Sequence, residues 1–191
     1  MADPGSRETF LLVDGENIDA TLGGSLLGRR PAPEERPRWD RVLEHARTTW
    51  DQPVRGLFFL NGSHNVPMSF VQALAALDYR PVLLSGPSDV KVVDVAIQKT
   101  LAALAERGSG DVLLASHDGD FAEQVAALLT EPHRRVGLLG FRELVSGALV
   151  ELTGDGLELF DLEDDVGAFT VALPRMRIIP IDRFDPWTLL S

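Results

Sequence analysis

Residues 113–124 read LLASHDGDFAEQ: an apolar run ends and two aspartates, Asp118 and Asp120, follow with one glycine between them. Bare carboxylates that close repel each other, by on the order of 4 kcal/mol at about 4 Å and an effective dielectric near 20. Such a pair is tolerable where water bathes it or where a cation joins it. Two further aspartates have comparable settings. Asp14 follows the apolar FLLV in VDGEN, and Asp94 stands in KVVD, early in a long amphipathic stretch after PVLLSGPSD. All-oxygen donors suit hard cations: Mg²⁺ takes oxygen ligands octahedrally at about 2.0–2.1 Å, commonly one or two carboxylates completed by water and phosphate oxygens. Two such ions, roughly 3.5–4 Å apart, clamp the attacking and leaving oxygens of a phosphodiester displacement. Asn17 adds an uncharged amide near Asp14, suited to a metal-bound water or a phosphate oxygen. Gly15 and Gly119 are expected to let the chain turn sharply after each strand. Each acid alone has a plainer reading, Asp120 as a helix cap and Asp14 as turn chemistry. Their chemistry depends on being brought together.

A parallel sheet would do that. TFLLV (9–13), VRGLFFL (54–60), PVLL (81–84), DVLLAS (111–116) and RRVGLL (134–139) are short, almost uninterrupted apolar runs, as in strands buried on both faces. Helical spacing separates them: Trp39, Val42, Leu43, Ala46 and Trp50; Phe70, Leu74 and Leu77; Val93, Ile97, Leu101 and Leu104; Phe121, Val125, Leu128 and Leu129. Strand and helix alternating this way predict an α/β sandwich with a central, mainly parallel sheet. The carboxyl ends of its strands share one edge, where ligands bind, and all four aspartates fall there. The Gly-, Pro- and Arg-rich stretch from Asp19 to Arg38 reads as a long loop. A domain over residues 9–150 is expected, followed by a C-terminal extension over 151–191. The extension carries Ile178, Ile179, Ile181, Phe184 and Trp187, too apolar to leave in water, so it is expected to pack on the domain or on a second subunit, as in a homodimer.

The 191 residues are 45% hydrophobic and 25% charged, which fits an ordinary folded domain rather than wholesale disorder. A net charge of −11 argues against a broad basic nucleic-acid footprint or an anionic-membrane binder. It leaves room for an acidic site that meets phosphate through metal ions. The absence of cysteine excludes disulfides and thiolate zinc sites. No apolar run approaches a membrane span and no signal-peptide pattern is present, so a cytoplasmic protein is expected.

Three motifs, LLVDGENI (11–18), KVVDVAI (91–97) and VLLASHDGDF (112–121), match in order and spacing those of the NYN-domain family, and the chain is similar to that LabA-like branch of the PIN-like metal-dependent ribonucleases. The resemblance spans most of residues 9–140. It implies a PIN-like three-layer α/β/α fold, Mg²⁺ or Mn²⁺ at the acidic cluster, and hydrolysis of RNA. Carried over by position, Asp14, Asp94, Asp118 and Asp120 would be metal ligands, directly or through water. Asn17 would join these four in the catalytic set by orienting, Lys91 would help at the phosphate, and Ser116 fits the small hydroxyl residue before the last pair, counted with Lys91 as substrate-binding. One departure is Thr100, where many relatives carry a further acid. Arg29, Arg30, Arg36, Arg38 and Arg41 are the basic residues available for RNA. His64 and His117 stand near the site edge and are left out of the catalytic set. The rival reading is a non-catalytic NYN module that binds RNA or a protein partner.

Overall fold

The structure is a computed structural model and describes residues 7–63 and 65–190; His64 lies outside the described residues. Six strands form one sheet: β1 (Thr9–Asp14), β2 (Val54–Asn61), β3 (Tyr79–Leu84), β4 (Asp111–Ala115), β5 (Val136–Gly140) and β6 (Glu158–Asp161). Every pairing is parallel and the order is β3-β2-β1-β4-β5-β6. The helices are α1 (Gly15–Ala20), α2 (Trp39–Thr49), α3 (Met68–Ala76), α4 (Val92–Arg107), α5 (Ala122–Leu129) and α6 (Gly147–Glu151). They make the chain a three-layer α/β/α sandwich.

The two faces divide as strand alternation requires. Leu11 and Val13 of β1 point to the face that buries Ile18, Val42, Leu43 and Leu74 of α1 to α3. Phe10 and Leu12 point to the face that buries Ile97, Leu101, Val125 and Leu149 of α4 to α6. A crossover between parallel strands is right-handed. Growth from β1 towards β3 therefore lays its helices on one face, and growth from β4 towards β6, in the opposite direction, lays them on the other. That rule leaves the first face of β4 to β6 without a helix. Residues 162–173 cover it, burying Leu162, Ala168, Phe169 and Leu173 against Phe141 and the strands.

The segment expected as the extension, from 151 on, supplies β6 and the cover over the sheet, and its Arg177 pairs with Glu163 and Asp164 at 2.9 and 2.8 Å. One expectation is corrected. The stretch from Asp19 to Arg38 is less of a loop than its glycines suggest. The helix of α1 runs on as a π-helix over Thr21–Leu27, closed by Gly28 at φ +65°, and a 3₁₀ turn follows at Pro33–Glu35. Leu22 and Gly23 of this stretch are buried.

Among the described residues no helix is long and apolar enough to cross a membrane.

Candidate metal centre

The strand order reverses between β1 and β4, and their carboxyl ends flank the crevice where a doubly wound sheet binds ligands. Asp14 ends β1; Asp118 and Asp120 follow β4; Asp94 lies in the first turn of α4. One carboxylate oxygen each from Asp94, Asp118 and Asp120 lies within 4.8 Å of the other two. In an octahedral Mg²⁺ shell, opposite oxygens stand about 4.2 Å apart and neighbouring ones about 3.0 Å. The trio would therefore have to draw together, by up to about 2 Å between neighbouring ligands, on such an ion.

Local structure explains the placement. After β4 the chain enters a 3₁₀ turn, Gly119–Phe121, capped by Asp118, whose Oδ1 accepts the Asp120 N–H at 2.9 Å. The cap is therefore Asp118, and the Asp120 carboxylate instead faces the Lys91 ammonium at 3.7 Å. Gln98, one turn beyond Asp94, donates Nε2 to the Asp120 carbonyl at 3.1 Å and ties α4 to this turn. Gly15 and Gly119 were expected for backbone freedom, yet neither has a positive φ. What they supply is space: a Cβ at Gly15 would run into the Phe58 ring, and one at Gly119 into the Ser146 hydroxyl.

Asp14 stands outside the trio. It is only 2% exposed, and its Oδ1 accepts the Asn17 N–H at 3.3 Å while its Oδ2 accepts the Ser116 hydroxyl at 3.0 Å. Burial pushes its carboxyl up to about 6; the two hydrogen bonds oppose this, and the charges of Asp94 and Asp118 add to it. Three acids meet, then, and the fourth backs them from the interior. Ser116, expected at the substrate, is fully buried, and its hydroxyl is engaged with the acids: it donates to Asp14 and accepts the Asp118 N–H at 3.2 Å.

Asn17 is held by a residue left out of the catalytic set. Its Oδ1 accepts both the backbone N–H of His117 at 2.9 Å and, at 3.0 Å, the ring Nδ1. His117 Nε2 accepts the Phe141 N–H at 2.8 Å, which leaves the proton on Nδ1. Two donors on one oxygen fix the carboxamide, so its NH₂ group faces away from His117 as a donor. The imidazole is 5% exposed and stacks on Phe141 at 5.4 Å. Burial drives its pKa down to about 4, against the pull of Glu143 and Asp161, so it stays neutral. No spacing in the sequence signals this role, because the partner lies 100 residues away.

The Lys91 ammonium sits 3.4 Å from Asp94 Oδ2 and 3.7 Å from Asp120 Oδ2. The Asp94 hydrogen bond and charge, with the charges of Asp118 and Asp120, raise its pKa. Its exposed stem can swing that charge to an incoming phosphate. The arginines are mostly engaged elsewhere. Arg29, Arg36 and Arg38 pair with Glu35, Asp19 and Asp40 at 2.6, 3.5 and 3.3 Å, and Arg41 donates to the carbonyls of Gly167 and Phe169. The Thr100 hydroxyl donates to its own helix, to the Ala96 carbonyl at 2.7 Å.

No family model matches the chain, and no curated protein matches it. Among solved structures, the crystal structure of a protein of unknown function from Vibrio parahaemolyticus is similar to it at a TM-score of 0.65 and 20% identity, covering 86% of this chain and 98% of that one. At that identity the likeness establishes a shared α/β/α fold.

Proposed function

We propose that the chain is a divalent-metal-dependent ribonuclease of the NYN, PIN-like kind, hydrolysing RNA phosphodiester bonds. The observation that carries this reading is the meeting of Asp94, Asp118 and Asp120 within 4.8 Å at the reversal point of the sheet. Three carboxylates with no matching set of basic partners suit Mg²⁺ or Mn²⁺, which would supply Lewis-acid polarisation of the phosphate and a nucleophilic water at neutral pH. Asp94, Asp118 and Asp120 would hold the ion, with Asp14 as a further ligand through water. Asn17 presents its NH₂ to a phosphate oxygen, and Lys91 balances phosphate charge from the rim. The choice of RNA comes from the three NYN-like motifs.

The rival, a module that binds without cutting, draws on two observations: the Lys91 ammonium already pairs with two members of the trio, Asp94 and Asp120, and four of the five arginines between 29 and 41 are engaged within the chain. Asp118→Asn separates the two. It is expected to abolish cleavage of single-stranded and structured RNA in Mn²⁺ while the melting temperature without metal stays within a few degrees of wild type. In wild type, Mn²⁺ at a hundredfold excess over its Kd should add about 2.7 kcal/mol of stability, and Asp118→Asn should lose most of that gain. RNA cleavage unchanged by the substitution would refute the assignment. A folded protein with no cleavage and no Mn²⁺ response would leave the binding module.

A further inference from the structure

Beyond Arg175 the chain is exposed and strongly apolar, with Arg177 still paired to Glu163 and Asp164 of its own domain at 2.9 and 2.8 Å. Met176, Ile178, Ile181, Trp187, Leu189 and Leu190 are 66–92% exposed. At roughly 150 Å² for a fully exposed large side chain, these six present about 700 Å² of apolar surface. The largest apolar patch on a typical monomer is about 300–600 Å². The segment is shaped nonetheless. Two 3₁₀ turns, Ile181–Arg183 and Pro186–Leu189, follow prolines or contain them, and Asp185 caps the second by accepting the Trp187 N–H at 3.0 Å. Proline and caps lower the entropy lost when such an arm docks.

The same chain carries an open apolar cleft of about 690 Å³, walled by Ile18, Trp39, Phe58, Leu60, Pro67 and Phe70. Trp39 and Phe70 meet the Phe58 ring edge-on at 4.9 and 5.7 Å. Its rim carries Glu16, Asp19 and Arg36. The Arg36 Nε–H finds no hydrogen-bond acceptor among the described residues, its carboxylate neighbour Asp19 Oδ1 lying 3.5 Å away.

We propose that residues 176–190 of one copy dock in the Trp39–Phe58–Phe70 cleft of a second copy, reciprocally, forming a two-fold dimer. Charge favours this occupant. A chain of net charge −11 repels its own copies, but residues 176–190 hold Arg177 and Arg183 against Asp182 and Asp185 and are neutral. Arg183 suits Glu16 on the rim, and Asp185 suits the Arg36 Nε–H, which Asp19 at 3.5 Å leaves without a hydrogen bond. Area favours it too. Two arms of about 700 Å² each, with a similar area of the surface they cover, exceed the roughly 1,600 Å² of a standard specific interface, and reciprocal exchange makes the contact self-complementary and closed. The docked arm would lie beside Gly15 and Glu16, next to Asp14.

The test needs neither metal nor RNA, so it stands apart from the ribonuclease reading. Sedimentation of the full chain at micromolar concentration should give a dimer. The double variant Ile181→Ser, Trp187→Ser should shift it to a monomer with an unchanged melt of the domain, because those side chains leave the core untouched. The chain has no cysteine, so Leu189→Cys and Asp19→Cys can be introduced in separate copies and mixed with a bis-maleimide. A cross-linked product of twice the chain mass that requires both variants would support the exchange. A monomer at all concentrations, a dimer that survives the arm substitutions, or a cross-link confined to a doubly substituted single chain would overturn it. Protection of Asp19→Cys from maleimide by single-stranded RNA in a monomer would assign the cleft to nucleic acid and overturn it equally.

Discussion

Asp14 and His117 bring ionisable groups into the interior beside the acidic trio, and their effects on stability have opposite signs. The Asp14 carboxyl, pushed up to about 6 by burial, is favoured in its protonated form by the fold. Its contribution is fully present below the unfolded value near 3.9 and is lost as pH rises through 6. The His117 imidazole, driven by burial to about 4, is favoured neutral, so its contribution is present above about 6.5 and is lost as pH falls through 4. Each is worth on the order of 3 kcal/mol, and between pH 4 and 6.5 they nearly cancel. Asp14→Asn unmasks the histidine. In EDTA, its stability by urea titration should rise relative to wild type by about 3 kcal/mol between pH 4 and pH 7. Parallel curves would mean that Asp14 ionises as an ordinary carboxylate. His117 is also predicted to act on catalysis through Asn17. His117→Leu orphans the buried Phe141 N–H, costing about 1–3 kcal/mol, and frees the carboxamide, so kcat should fall about tenfold with Mn²⁺ affinity unchanged. Combined with Asn17→Ala it should cost nothing further in kcat, since both changes remove the same presented donor. Additive losses would give His117 a separate role.

At the scale of elements, the segment after β6 holds the open face of the sheet through one arginine. Arg175 is 2% exposed at its side chain. It donates two bonds to Asp161 at 2.6 and 2.5 Å, two to Glu143 at 2.7 and 2.5 Å, and one to Glu163 at 3.1 Å, with its guanidinium 5.2 Å from the centre of the Phe141 ring. Burial alone would raise the Asp161 carboxyl; the Arg175 bonds, with the N–H groups of Asp164 and Arg142, outweigh it and hold that group well below the usual range. Arg175→Met keeps the stem and leaves Asp161 buried without its counter-charge, which should cost about 3–5 kcal/mol and speed amide exchange over 162–173 before the rest of the sheet. A smaller loss would mean the apolar contacts of Phe169 and Leu173 hold the segment unaided. None of this was legible from sequence, and β6 was missed with it. ELFD is a four-residue edge strand with half-exposed positions, so it lacks the continuous apolar run that announced β1, β4 and β5. Asp94, Asp118 and Asp120 were legible because topology alone carries strand-end residues to one edge. Asp14 as a buried backing acid was not. Its buried carboxylate is bonded to Ser116, whose hydroxyl turns inward, and a hydroxyl's direction leaves no trace in residue spacing.

The molecule as a whole carries −11 charges and would act on a polyanion. Association cannot then rest on a basic surface, and the residues near the trio say the same. Lys91 is the ammonium at the rim, while Arg29, Arg36, Arg38 and Arg41 are already paired or bonded to carbonyls. Each phosphate neutralised on a single strand contributes about −0.7 to the slope of log affinity against log salt. One or two such contacts predict that log(kcat/KM) falls with log[KCl] at a slope between about −0.7 and −1.5, measured at saturating Mn²⁺. Lys91→Ala should flatten it by about 0.7, because it removes one of those contacts. A wild-type slope steeper than about −4 would require a basic surface of five or more contacts, which this arrangement of arginines does not offer. The same charge balance would make the proposed divalent ion the main attraction for the phosphate, so at subsaturating Mn²⁺ the KM for RNA should rise before kcat falls.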